Sequence, residues 1–268
     1  MDKFQKRLGE VSTEEDMNRL REGYISLFRA VPGVGLGFIQ PISRGSIADI
    51  SAVMPLYAKH ADIVSHVVFT LYTDIAWTKE VRAKIDTDIT IGDVVEEIQK
   101  THPFVPCAYL GSTSNPQEPS WLFSVSVGFK DEPLGHIDGA LYRDLEERYH
   151  RKTGRFLFTR KAHTISLQKL MALSGYRSVR AILRQYAKAV LMRPSRLHEP
   201  LCFQTMLILR GPKFTTDGSR DLCAGCPDAM YYDGKLVPSC ILEEIKQKHA
   251  SAQSSSGTER QSGCAALG

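Results

Sequence analysis

The stretch GVGLGFIQPISRGSIADISAVMPLYAKHADIVSHVVFTLY, residues 33–72, decides the fold class. Gly33 to Ile42 is a short apolar run bounded by glycines and Pro41, which suits a buried strand better than a helix of that length. Ser46 to His60 follows, with Ile47, Ile50, Val53, Met54 and Tyr57 on one helical face. Asp62 to Tyr72 is rich in β-branched and aromatic residues and reads as a second buried strand. Strand, helix, strand in that order requires a parallel crossover, so the chain is α/β.

Outward from this unit, Thr13 is an N-cap followed by Glu14, Glu15 and Asp16, and Met17, Leu20, Tyr24, Leu27 and Phe28 recur at helical spacing up to Pro32. On the other side Thr90 caps a helix through about Thr101, with Asp93 as capping-box partner, and Pro103 and Pro106 stop it. The pattern then turns to strand at Cys107–Gly111 and Trp121–Phe129, separated by a turn-rich segment, and here the chain is expected to leave the first sheet layer. Helices are predicted at about Asp138–Lys152, Ser166–Leu173 and Ser178–Met192, a strand at Leu201–Leu209 and a short helix near Ile241–Lys248. After Ala250 the composition falls to Ser, Gln, Gly and Ala, which bury too little surface to order themselves. The resulting division is a βαβ-containing part over 1–105, a mixed α/β part over 106–248, and a disordered tail over 249–268 that includes Cys264.

The bulk properties are those of an ordinary globular chain: 268 residues can bury one sizeable core or two small ones. With 43% hydrophobic and 24% charged residues it is neither disordered nor fibrous. A net charge of +4 is too mild to indicate a dedicated nucleic-acid binder. Met1 to Arg7 lead into a polar helical pattern rather than an apolar signal region, and no stretch approaches the roughly 18 apolar residues of a membrane span. These features predict a cytoplasmic protein with no membrane partner. In that compartment six unevenly spaced cysteines do not form a disulfide framework, which turns attention to the three that cluster.

Those three are Cys223, Cys226 and Cys240, in DLCAGCPDAMYYDGKLVPSC over 221–240. A C-x₂-C turn lets backbone N–H groups point at two sulfurs that bind one centre; Gly225 eases the turn and Pro227 fixes its exit. Met230 to Cys240 reads as a hairpin with Asp233-Gly234 at its tip, whose return arm brings Cys240 back to the pair. The functional reading is a cysteine-rich metal knuckle; the plainer one is buried free thiols. Structural zinc needs four closed ligands, whereas a [4Fe–4S] cluster is held by three cysteines with its fourth iron open. Cys202, His198, Asp228 and His249 are the candidates for a fourth position, Cys202 competing with a core role in its apolar run.

The stretch DLCAGCPDAMYYDGKLVPSC, with AYLGSTSNPQEPSWLFSVSVGF upstream, resembles the C-terminal half of radical S-adenosylmethionine (radical SAM) proteins that carry an accessory region of the SPASM/Twitch kind. The resemblance covers residues 13–248, and C-x₂-C-P-D…G-K-L-V-x-x-C is its most specific part. It implies that the first part is the closing portion of a partial (β/α) barrel, that Cys223, Cys226 and Cys240 ligate an auxiliary [4Fe–4S] cluster, and that the chemistry is of the oxidoreductase type. In that family a C-x₃-C-x₂-C loop holds the cluster on which SAM is cleaved, and no such motif occurs here. The resemblance therefore implies SAM use only where a separately encoded N-terminal half supplies that loop. The auxiliary cluster would then anchor an unknown substrate or relay electrons.

Other features have weaker claims. Arg177, Arg180, Arg184 and Lys188 form a basic stripe on one face of the Ser178–Met192 helix, which fits phosphate or RNA but is more commonly a solvated face. A non-catalytic module stabilised by zinc at the same cysteines, using this stripe for an RNA or protein partner, is the alternative. Asp144, Glu146 and Glu147 share a helix with Arg143 and Arg148 and read as ion pairs rather than a paired-carboxylate catalyst. No H-E-x-x-H or G-x-S-x-G pattern occurs, so hydrolase chemistry has no support.

Overall fold

A computed structural model describes residues 13–31, 33–72, 89–154, 164–215 and 220–259. Helix α1 (Glu14–Arg29) starts at Thr13, whose hydroxyl accepts from the Asp16 N–H while the Asp16 carboxylate accepts from the Thr13 N–H, closing a capping box. Strand β1 (Leu36–Ile42) and strand β2 (Val64–Leu71) flank a 3₁₀ turn, Arg44–Asp49, that runs into α2 (Ile50–Lys59). β1 and β2 pair in parallel, Phe38 beside Val67 and Ile42 beside Leu71, which is the crossover expected from residues 33–72. α3 (Ile91–Gln99) is capped by Thr90, with Asp93 completing the box as its spacing predicts.

The second half supplies β3 (Ala108–Gly111), β4 (Pro119–Gly128), β5 (Pro133–His136), α4 (Gly139–Thr153), β6 (Thr164–Ile165), α5 (Leu167–Ala172), α6 (Arg177–Met192) and β7 (Leu201–Arg210). The chain does not leave the first sheet at Cys107, and this expectation is corrected. β7 has two edges to satisfy: one pairs in parallel with β2, and the other pairs antiparallel with β4. A single mixed sheet results, ordered β1-β2-β7-β4-β3, with β5 on β4 and β6 on β7.

Alternation along the strands assigns the two cores to the two sheet faces. Val67, Phe69, Met206 and Ile208 join Ile50, Val53, Met54, Tyr57, Val94 and Ile98 under α2 and α3. Val125, Val127 and Leu201 join Leu141, Leu170, Val179, Ile182 and Tyr186 under α4, α5 and α6. Truncating a fully buried central residue such as Ile208 to Ala costs about 2–5 kcal/mol, because little can collapse into the gap. The helix-free part of the second face is only half covered: Ile39 is exposed, and Val68, Thr70, Leu207, Leu209 and Trp121 are half-buried in adjoining registers.

Past β7 come β8 (Lys213–Phe214) and β9 (Arg220–Asp221), a two-stranded pair, then the hairpin β10 (Ala229–Tyr232) and β11 (Lys235–Pro238), and α7 (Leu242–Glu259). α7 carries the helical backbone past the composition change at Ala250, while residues 260–268, with Cys264, lie outside the described residues. Among the described residues, no helix is long and apolar enough to cross a membrane.

Candidate metal centre

The hairpin forms where the sequence places it. Asp233 and Gly234 both take positive φ, 47° and 80°, the two-residue turn whose twist matches that of the flanking strands. Tyr232 pairs with Lys235 at the tip and Ala229 with Pro238 at the base, so Cys240 returns toward Cys226. Gly225, at φ 69°, supplies the left-handed residue between the first two cysteines.

The turn does not hang free. Ser112 and Cys223 form an antiparallel bridge, the Thr113 N–H donates to the Leu222 carbonyl at 2.7 Å, and the Ala224 N–H donates to the Gly111 carbonyl at 2.9 Å. These bonds stitch the first cysteine to the end of β3. Asp221 anchors the same segment: its carboxylate accepts from the Ser114 N–H at 2.9 Å and the Thr113 hydroxyl at 3.1 Å, and faces Arg210 at 3.5 Å. Burial alone would raise the Asp221 carboxyl, but hydrogen bonds from Ser114, Ser112 and Thr113 hold it below its ordinary range. Arg210 also donates to Glu118 at 2.9 Å and to the Ser120 hydroxyl at 3.2 Å.

The structure places the three predicted ligands on one segment, Cys223 and Cys226 on the turn stitched to β3 and Cys240 just past the return arm of the hairpin. Cys223 is pushed up by burial and then by Cys226, and Cys240 by burial and then by Cys226 and Cys223. Cys223 and Cys226 are half-buried and Cys240 is exposed, and none of them is in a disulfide. Among the described residues, no group of three or more His, Cys, Asp or Glu is placed so that it could hold a metal ion. The donor chemistry of the three thiols fits a thiophilic centre such as zinc or iron–sulfur, and binding it requires each thiol to release its proton.

The four candidates for a further ligand separate clearly. Asp228 stands at the site: its field raises Cys240, its carbonyl accepts from the Cys226 thiol at 3.7 Å, and its carboxylate accepts from the Ser239 hydroxyl. His249 lies at the hairpin tip, its ring tilted against Tyr232 and 3.9 Å from Asp233, away from the cysteine end. Cys202 opens β7, whose far end carries Arg210, so about 25 Å of strand separates it from the knuckle. His198, four residues before Cys202, lies toward that same remote end. Cys202 and Cys107 are core thiols, pushed by burial up to about 11 and about 12.

Sequence reading missed the clamp of Arg210, Asp221, Glu118 and Ser112 to Ser114. Its signals were faint: an arginine ending an apolar strand, and an acid two residues before a cysteine. Arg210 and Asp221 are 11 residues apart, and the bonds that tie them and Leu222 to the 113–120 segment span 90 to 109 residues, beyond the reach of any local pattern. No protein-family model matches this chain, and no curated protein matches it.

Proposed function

We propose that this chain is an iron–sulfur-binding protein of the radical SAM superfamily, in which Cys223, Cys226 and Cys240 hold an auxiliary [4Fe–4S] cluster that anchors substrate or relays electrons. The observation that carries the reading is one left-handed turn and one hairpin that carry the three cysteines on a single segment stitched to the end of the sheet. When bound, the cluster supplies an electron store or an open iron for a substrate heteroatom. The protein's own share is to position the sulfurs, with Asp221 and Arg210 as positioning residues.

The finer fold assignment belongs to the same proposal. β1, β2 and β7 run parallel, and the half-covered face they share with Trp121 of β4 leads toward the knuckle. We read these strands as the closing part of a partial (β/α) barrel and that face as its interior, where substrate would lie. The 268 residues contain no C-x₃-C-x₂-C, so SAM cleavage needs an N-terminal half that supplies that loop, truncated from this sequence or separately encoded.

Asp228 beside Cys240 is the observation that favours a second reading, because three thiolates and a carboxylate close a tetrahedral zinc site. Anaerobic reconstitution with ferrous iron and sulfide separates the two. A brown protein with thiolate-to-iron absorption and a reduced-state EPR signal supports the cluster. A colourless protein carrying one zinc establishes the binding-module reading, and a protein that takes up neither metal removes both.

A further inference from the structure

Helix α6 carries Arg177, Arg180, Arg184 and Lys188 and no acidic residue. All four cations are exposed and share one side of the helix, opposite the buried Val179, Ile182, Tyr186 and Ala189. Some exposed cations on or capping other helices are matched by acids one turn away, Lys100 with Glu97, Arg148 with Asp144, Arg151 with Glu147, Lys246 with Glu243 and Lys248 with Glu244, whereas Arg19, Lys59, Arg143, Lys152 and Lys169 are exposed without such a match. On α6 there is no such matching. Arg177, Arg184 and Lys188 have no ion pair among the described residues, and Arg180 donates to the carbonyls of Ser174 and Gly175, which leaves its charge uncompensated. Of the acids of neighbouring elements, Asp144 is engaged by Arg148 and Tyr176, Asp131 and Glu132 by Arg196, and Asp138 accepts from the backbone N–H of Ser178 at the start of α6.

The cationic side does not end in polar residues. At 100° per residue Leu191 falls between Arg180 and Arg184 in projection, and Met192 lies beside Lys188. Leu191 is 83% exposed, Met192 73%, and Leu197 in the turn that follows 55%. Single exposed leucines are ordinary, but three large apolar side chains at the end of an uncompensated cationic stripe are not. The combination is that of a helix lying at a lipid–water boundary, cations at the phosphates and apolar side chains in the acyl region. A single-stranded RNA surface would instead interleave exposed aromatics for base stacking, and this side presents Ala181 and Gln185 between its cations.

We propose that this face of α6, with the turn after it, docks peripherally on an anionic phospholipid bilayer. Arg177, Arg180, Arg184 and Lys188 contact headgroup phosphates, and Leu191, Met192 and Leu197 enter the acyl boundary. Each cation near such a surface strengthens partitioning by about fivefold at physiological salt. The inference is independent of what the cysteines bind.

The test is flotation of the full chain with vesicles of phosphatidylcholine alone or mixed with phosphatidylglycerol. The protein is expected to float with the mixed vesicles only, and to be released by salt. Both R180E/R184E and L191S/M192S alter exposed side chains; circular dichroism like the parent's confirms that each folds. R180E/R184E is expected to lose at least about 25-fold in partitioning, and L191S/M192S to lose flotation with its charge intact. Failure to float on the mixed vesicles, or undiminished flotation of R180E/R184E, overturns the proposal. So does capture by homopolymeric RNA that R180E/R184E abolishes and L191S/M192S does not, without flotation.

Discussion

Arg210, the last residue of β7, and Asp221, two residues before Cys223, face each other at 3.5 Å with side chains 3% and 6% exposed. The pair ties the end of the sheet's middle strand to the segment that carries the cysteines. A buried charge of either sign is costly alone, so each residue requires the other. That mutual requirement fixes where the knuckle begins.

Asp221→Ala leaves Arg210 with only the partly exposed Glu118 as counter-ion and frees the Ser114 N–H and Thr113 hydroxyl. The expected loss is about 3 kcal/mol in urea unfolding, since removing one partner strands a buried charge. Metal uptake is expected to fall with it. A variant as stable as the parent would show that the clamp is not needed for folding.

Two glycines near the site should behave differently. A Cβ on Gly111 would stand 2.2 Å from the Pro116 carbonyl oxygen, so Gly111→Ala forces backbone to move at the strand that holds Cys223, for about 1–3 kcal/mol. Gly225→Ala meets open space but must hold φ at 69°, for about 1 kcal/mol. Thermal melts of both variants are expected to rank Gly111→Ala as the more damaging.

Stability should fall on mild acidification because of His102. Burial, and then the neighbouring His136, push its pKa down from 6.5 to about 4, and the Nε2 atoms of both rings are buried without a hydrogen-bond partner. A lowered folded-state value means that the unfolded chain binds the proton more readily. The loss therefore begins as pH drops below about 6.5 and levels off below about 4. His102 alone accounts for about 2 kcal/mol between pH 7 and pH 5. Urea titrations across that range should show the decline, and His102→Gln should flatten it; an unchanged slope would place the acid sensitivity elsewhere.

Thiol reactivity should divide the five cysteines among the described residues into two groups. Cys107 and Cys202 are buried, with thiols near 12 and 11, so alkylation at neutral pH awaits unfolding. Cys223, Cys226 and Cys240 are accessible in the folded chain. Pulsed alkylation read by mass spectrometry is expected to label these three first, and bound metal to protect them. Labelling of Cys202 alongside them would contradict the placement at the far end of β7.

Local features were legible in the sequence. The Thr13 and Thr90 caps, the parallel crossover of residues 33–72 and the Asp233-Gly234 hairpin each depend on residues a few positions apart, where propensity and hydrogen bonding act directly. The insertion of β7 between β2 and β4 was not legible. An apolar run such as LCFQTMLIL announces a strand buried on both faces but does not name its partners. For the same reason, three clustered cysteines pointed to the knuckle, while the Arg210 and Asp221 clamp beneath it had to be found in space.

X-ray absorption at the metal edge of the reconstituted protein tests the central claim most directly, because it counts the sulfur neighbours of the bound metal. Sulfur scattering at about 2.3 Å, reduced in each of Cys223→Ser, Cys226→Ser and Cys240→Ser and unchanged in Cys202→Ser, is the predicted result. A first shell of nitrogen and oxygen alone, or one indifferent to those three substitutions, would contradict it.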